Sequence, residues 1–131
     1  MSENFKPQPG QICWNELNAS EVDAAKKFYS EVLGWTYQDM DMPDHNFTYT
    51  LFMNNGVPVA GLMNTADMEG GDQIPPNWFV YLTIADMDEA LVKVKANGGA
   101  VMREPFFVEN MGTIAIVVDA AKAVVGLVEP Q

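Results

Sequence analysis

Apolar residues recur at helical spacing within one stretch, Leu17–Trp35, LNASEVDAAKKFYSEVLGW. Val22, Ala25, Phe28, Tyr29, Val32 and Leu33 fall on one face of a helix. Lys26, Lys27, Ser30 and Glu31 fall mostly on the other. Ser20 stands where an N-cap is expected, and Glu21 and Asp23 bring negative charge to the positive end of the helix dipole. Gly34 is placed to close the helix in the left-handed conformation. A weaker copy begins 65 residues later, at Leu82–Ala100, LTIADMDEALVKVKANGGA. There Asp86 is the expected cap, Met87, Ala90, Leu91 and Val94 form the apolar face, and Gly98-Gly99 ends the run.

The same shift carries on without a gap into the flanking segments. It pairs Trp14 with Phe79, Glu16 with Tyr81, Thr48 with Thr113, Val59 with Val124, Gly61 with Gly126 and Leu62 with Leu127. A chance likeness between two helices would not keep its register so far. The pattern predicts a duplicated strand-helix-strand-strand-strand unit, with modules at 10–63 and 78–128 inside one domain covering 1–131.

Strands are expected at Gln11–Leu17, Trp35–Met40, Phe47–Met53 and Val57–Met63. Pro43, Asp44 and Asn46 mark a turn before the third, and Asn54-Asn55-Gly56 marks a hairpin before the fourth. Asn64–Asn77, with Gly70-Gly71 and Pro75-Pro76, reads as the connection between modules. The second module gives strands at Trp78–Ile84, Met111–Val118 and Ala123–Val128, a helix at Met87–Asn97, and an extended run, Ala100–Glu109, interrupted by Pro105. Residues 1–9 read as a loose arm.

Charge and composition narrow the function. A formal charge of −11 argues against nucleic acid and anionic membrane as partners. No apolar run is long enough to span a bilayer, and the opening residues MSENFKPQPG hold no signal-peptide core. The single cysteine, Cys13, forms no internal disulfide, which suits a reducing cytoplasm. No Ser/His/Asp set, phosphate loop or catalytic carboxylate pair can be assembled.

Two tandem βαβββ units, the run DAAKKFYSEVLGW, the helix start ADMDEAL and the closing DAAKAVVGLVEP together resemble the vicinal oxygen chelate superfamily. This is the glyoxalase, bleomycin-resistance and extradiol-dioxygenase group. The resemblance covers nearly the whole chain. It implies an α+β fold in which tandem βαβββ modules form a cup-shaped, curved mixed sheet with the helices outside. Members with metal chemistry carry a His on the first strand, a Glu on the fourth, a His or Gln on the fifth and a Glu on the last. Carried over from the helix motifs, these positions fall on Trp14, Gly61, Phe79 and Gly126, none of which offers a side-chain donor. The lone histidine, His45, sits in a turn and reads as an exposed loop residue. The resemblance therefore points to a branch without the usual metal ligands, and no cofactor is expected.

Alternation along a strand puts Trp14, Glu16 and Asn18 on one face, with Phe79, Tyr81 and Thr83 on the equivalent face of the fifth strand. Within the implied cup, two aromatic residues opposite Gly61 and Gly126 describe either a flat-walled pocket for a planar or apolar guest, or a plug that fills the metal's place. Glu16 is the sharpest candidate for acid–base chemistry, since desolvation would raise its pKa. Its alternative role is a structural hydrogen bond to Asn18, Tyr81 or a backbone N–H. Tyr49 and Tyr29 offer hydroxyls, but the pattern leaves the facing of the third strand open. Cys13 has the opposite parity from Trp14 and reads as buried.

Three functions compete at this point. One is a metal-free protein binding a small hydrophobic or aromatic molecule through Trp14, Glu16, Tyr49, Gly61, Phe79, Tyr81 and Gly126. Another is a metal-independent lyase or isomerase using Glu16 and a tyrosine. The third, a metal-dependent lyase like lactoylglutathione lyase, requires a different ligand mapping. A homodimer is expected, because open strand edges need covering and relatives with one pair of modules usually dimerise.

Overall fold

The computed structural model describes residues 7–42 and 47–131. The turn expected at Pro43–Asn46, with His45, lies outside the described residues, as does most of the expected arm. The chain divides into two units, one from Trp14 to Trp78 and one from Phe79 to Gln131 together with the segment before Trp14. Each unit repeats the same order of elements, and the fold is α+β.

In the first unit the order is β1 (Ile12–Ala19), α1 (Val22–Leu33), β2 (Thr36–Met42), β3 (Phe47–Asn54) and β4 (Val57–Asn64). Its strands lie in the order β2-β3-β4-β1. β1 and β4 are parallel and the other pairs antiparallel. Asn55 and Gly56 both have positive φ, 51° and 80°, so the expected hairpin closes on a turn whose twist matches its strands. Leu17, Ala19, Phe52, Ala60 and Leu62 form the core on one sheet face, and Val22, Ala25 and Tyr29 of α1 pack onto it. Burying side chains such as Phe52 and Leu62 stabilises the unit by about 1.5–3 kcal/mol each.

The second unit holds β5 (Asn77–Thr83, whose first two residues fall in the first unit), α2 (Met87–Ala96), β6 (Ala100–Val108), β7 (Gly112–Val118) and β8 (Val124–Pro130). Its strands lie in the order β5-β8-β7-β6. Met87, Ala115, Val117 and Leu127 form its core, covered by Ala90, Leu91 and Val94 of α2. Residues 10–11 run beside the end of β5: Gly10 N–H donates to the Thr83 carbonyl and Thr83 N–H to that of Gln11, each at 2.8 Å. At the turn after β7, Asp119 Oδ1 accepts from the N–H groups of Ala121 and Ala123 at 2.8 and 2.9 Å.

The 65-residue shift survives in the pairing. Glu16 lies beside Gly61 and Tyr81 beside Gly126; Leu17 lies beside Leu62 and Leu82 beside Leu127. Leu51 faces Gly61 across β3 and β4 as Ile116 faces Gly126 across β7 and β8.

Two sequence expectations need correction in the helices. Ser20 is not the N-cap of α1. Glu21 takes that place with no side-chain cap, and its carbonyl accepts the first helical bond, from Ala25 N–H at 3.0 Å. Asp86 does cap α2, accepting from Glu89 N–H at 2.9 Å. The repeat itself pairs Asp86 with Glu21, so the shift held the answer. The apolar face of α1 is also narrower than its pattern. Val22, Ala25 and Tyr29 face the core, while Phe28, Val32 and Leu33 are at least half exposed.

Candidate functional site

The site is built on the face of the first unit's sheet that α1 does not cover. In β1, Leu17 and Ala19 point to the core, which sends Trp14, Glu16 and Asn18 to the opposite face. In β3, Phe52 points to the core, so Tyr49 and Leu51 share the face of Trp14. This settles the facing that the third strand's sequence left open. In β4, Ala60 and Leu62 belong to the core and Gly61 to the opposite face. Glu16 and Asn18 are buried despite their polarity.

Three of these side chains form one chain of hydrogen bonds. The Trp14 indole N–H donates to the Tyr49 hydroxyl oxygen at 2.8 Å. The Tyr49 hydroxyl in turn donates a hydrogen bond to the Glu16 carboxylate. Burial pushes the Tyr49 phenol well above its ordinary pKa, and the neighbouring Glu16 charge pushes the same way. The phenol therefore keeps its proton wherever the protein is folded at ordinary pH. It presents a fixed donor to Glu16 and a fixed acceptor to Trp14.

Gly61 is what lets Tyr49 lie there. A Cβ at position 61 would collide with the Tyr49 hydroxyl and ring. The bare backbone of Gly61 is thus covered by Tyr49, reaching over from β3, and not by Trp14.

On the equivalent face of the second unit two aromatic rings pack together. Phe79 is buried, and its ring meets that of Tyr81 edge-on, with centroids 5.0 Å apart. A Cβ at Gly126 would strike the Tyr81 ring and come within 3.1 Å of Phe79 Cε1. Here the residue beside the glycine covers it, whereas in the first unit a carboxylate lies beside the glycine and the cover comes from one strand further on. Thr83, next on this face, is buried, and among the described residues its hydroxyl has no hydrogen-bond partner. Cys13 is half-buried and its thiol donates to the Tyr81 carbonyl at 3.5 Å.

Tyr29 belongs elsewhere. It stacks on Trp35 and accepts from the Trp78 indole N–H at 3.0 Å, on the helix side of the first sheet. Its hydroxyl does not join the Glu16 cluster.

The four positions at which the resemblance expects metal ligands do not fit a metal ion through their side chains. The side chains of Trp14 and Phe79 supply no oxygen, sulfur or basic nitrogen donor, and Gly61 and Gly126 have none to offer. Among the described residues no three His, Cys, Asp or Glu side chains cluster as a metal site. Nor, among the described residues, is any helix long and apolar enough to cross a membrane.

The family model described as Glyoxalase/Bleomycin resistance protein/Dioxygenase superfamily matches residues 11–122. A Mycobacterium tuberculosis protein named as a candidate glyoxylase, CFP32, is 34% identical over 97% of this chain and 48% of its own length. The anthracycline biosynthesis protein DnrV of Streptomyces peucetius is 31% identical over 88% of this chain and 45% of its own. The chain thus spans about half the length of the curated relatives it matches. Among solved structures, Mycobacterium tuberculosis methylmalonyl-CoA epimerase superposes with a TM-score of 0.60 at 15% identity, over 98% of this chain and 94% of its own. A hypothetical protein of Bacillus halodurans reaches 0.69 at 12% identity, over 95% and 96%. At such identities these structures speak to the fold alone.

Proposed function

The chain belongs to the Glyoxalase/Bleomycin resistance protein/Dioxygenase superfamily, and from that premise we propose that it binds a small, partly aromatic or hydrophobic molecule without a metal ion. The observation that carries this reading is the hydrogen-bonded run Trp14–Tyr49–Glu16 over Gly61. Trp14 and Gly61 are two of the four positions at which the resemblance expects metal ligands; Glu16 and Tyr49 are not. An indole edge, a phenol and a buried carboxylate offer a flat apolar surface with a few fixed polar groups, which suits a planar organic guest. In the second unit, Phe79 and Tyr81 against Gly126 are the corresponding binding residues, two aromatic rings with no carboxylate beside the glycine.

The name of DnrV supports the aromatic class, since anthracyclines are polycyclic aromatic molecules. A thermal-shift screen over metabolites and aromatic antibiotics, run with a chelator present, tests the proposal. Stabilising hits that vanish in Trp14→Ala support it. Hits that appear only after a divalent ion is added count against it.

A second reading rests on the contact between Tyr49 and Glu16. The buried Glu16 carboxylate, with the Tyr49 hydroxyl held against it, is the candidate base of a metal-independent lyase or isomerase. Glu16→Gln separates the two readings. Turnover lost with binding retained favours the enzyme, and unchanged behaviour favours the binder.

A further inference from the structure

Pairing in the second unit lays Tyr81, Gly126, Ile116 and Arg103 in one row across β5, β8, β7 and β6. Residues paired across a sheet share a face. Arg103 therefore lies on the face of Gly126, which α2 does not cover. Irregularity in β6 puts it there. Val101 packs into the core on the α2 side. In a regular strand Arg103, two residues on, would point the same way. The register instead shifts between Val101 and Arg103, and again between Arg103 and Phe106. The second shift brings Phe106, paired with Ile114, to the face of Arg103. In the first unit β2 pairs with β3 in unbroken register, and the matching row is Glu16, Gly61, Leu51 and Gln38.

Arg103 is the chain's only arginine, and among the described residues it is the only basic residue in a strand. Its guanidinium lies over the Phe106 ring, 3.8 Å from the centroid. It is exposed, and among the described residues it makes no ion pair, in a chain with 18 acidic residues and 7 basic ones. Stacking occupies the flat side of the guanidinium and leaves the N–H fork at its rim for a planar acceptor. Ile116 beside it and the Tyr81 ring over Gly126 are half-buried, a floor of aliphatic side chain and aromatic ring. Three strand spacings put Tyr81 and Arg103 roughly 14 Å apart.

We propose that this face of the second unit binds a planar aromatic acid by its carboxylate, with Arg103 as the anchor. The proposal rests on the reading of Phe79 and Tyr81 as binding residues. A carboxylate matches the guanidinium fork with two parallel N–H···O bonds, while the rings lie over Ile116 toward Tyr81. Charge selects a monoanion. One guanidinium balances one carboxylate, whereas a phosphate ester carries about −1.5 to −2, and the net charge of −11 opposes the remainder. The matching row of the first unit has the neutral Gln38 at the place of Arg103 and the Glu16 carboxylate at the place of Tyr81, so it repels an acid.

NMR titration of the full chain with 2-naphthoate, and with its neutral counterpart 2-naphthamide, tests the proposal. The readout is the backbone amide signals of Arg103, Ile116 and Gly126. Naphthoate is expected to shift them saturably and to bind about tenfold more tightly than naphthamide, or better. Arg103→Gln puts the first unit's residue into the second. It is expected to bring naphthoate down to the level of naphthamide, with an unchanged circular dichroism spectrum. Lys95→Gln removes the same charge from α2 and is expected to leave both affinities as they are. Equal affinity of the wild type for the two probes overturns the inference and leaves the face a binding surface. Naphthoate binding that Arg103→Gln does not weaken, or that Lys95→Gln weakens as much, overturns it as well. If neither probe moves those signals, the inference fails together with the reading of Phe79 and Tyr81 as binding residues.

Discussion

The Tyr49 hydroxyl stands over the bare backbone of Gly61, so a Cβ at position 61 and the phenol compete for one place. Gly61→Ala is therefore expected to drive Tyr49 from its seat and break the Trp14 bond. Overpacking of this kind costs about 1–3 kcal/mol. Urea denaturation checks the cost, and tryptophan fluorescence reports the indole's loss of its partner. An alanine variant with unchanged stability and emission would show that Tyr49 does not depend on that glycine.

Tyr49→Phe removes the acceptor of the Trp14 N–H and the donor to Glu16 together. The expected destabilisation is about 1–3 kcal/mol, the cost of buried polar groups left without partners. The phenol also predicts a pH dependence. Its folded pKa is raised above the ordinary 10.0, so the contribution is intact below about pH 10 and falls as pH rises beyond it. In that range the unfolded chain releases a proton that the folded chain retains. Stability curves at rising alkaline pH should decline less steeply in Tyr49→Phe than in the wild type. Parallel declines would contradict the assignment.

Asp39 predicts a dependence at the other end of the scale. The Thr50 hydroxyl donates to it at 2.7 Å, and Lys26 lies 3.0 Å away. Thr50 first, then Lys26, hold its carboxyl below the ordinary 3.8. Its contribution is present above that value and is lost as pH falls through the lower folded value. Asp39→Asn should flatten this part of the acid limb. Since the carboxylate is nearly half exposed, high salt should shrink the difference.

Helix caps give a paired prediction. Asp86→Ala should cost about 1 kcal/mol, because the carboxylate accepts from Glu89 N–H. Glu129 adds a second acceptor at the same helix end, taking the Met87 N–H at 2.7 Å. Ser20→Ala should change stability little, since the helical ladder starts one residue later. Equal losses in the two variants would restore Ser20 as a cap.

The elements were legible because duplication repeats every signal at a fixed shift. The pairing of Glu16 with Gly61 and of Tyr81 with Gly126 sits where that shift puts it. Period-two alternation likewise placed Trp14, Glu16 and Asn18 on one face. Tyr49 was named from the sequence, but its position was not legible. Both parities of β3 hold aromatic residues, with Tyr49 on one side and Phe52 on the other, so hydrophobicity does not choose between them. The hydrogen bond to Trp14 spans 35 residues and leaves no local trace. The outer face of α1 was misread for a related reason. Phe28 and Val32 extend the apolar pattern of the buried face, and spacing alone does not separate a core residue from an exposed one.

Calorimetric titration with an anthracycline, with a chelator present throughout, tests metal-free binding at the Trp14–Tyr49–Glu16 face most directly. The account predicts saturable binding that the chelator leaves unchanged and that Tyr49→Phe weakens by about tenfold, the loss of one hydrogen-bonding partner. Absence of binding, binding that needs an added divalent ion, or equal affinity in Tyr49→Phe would contradict it.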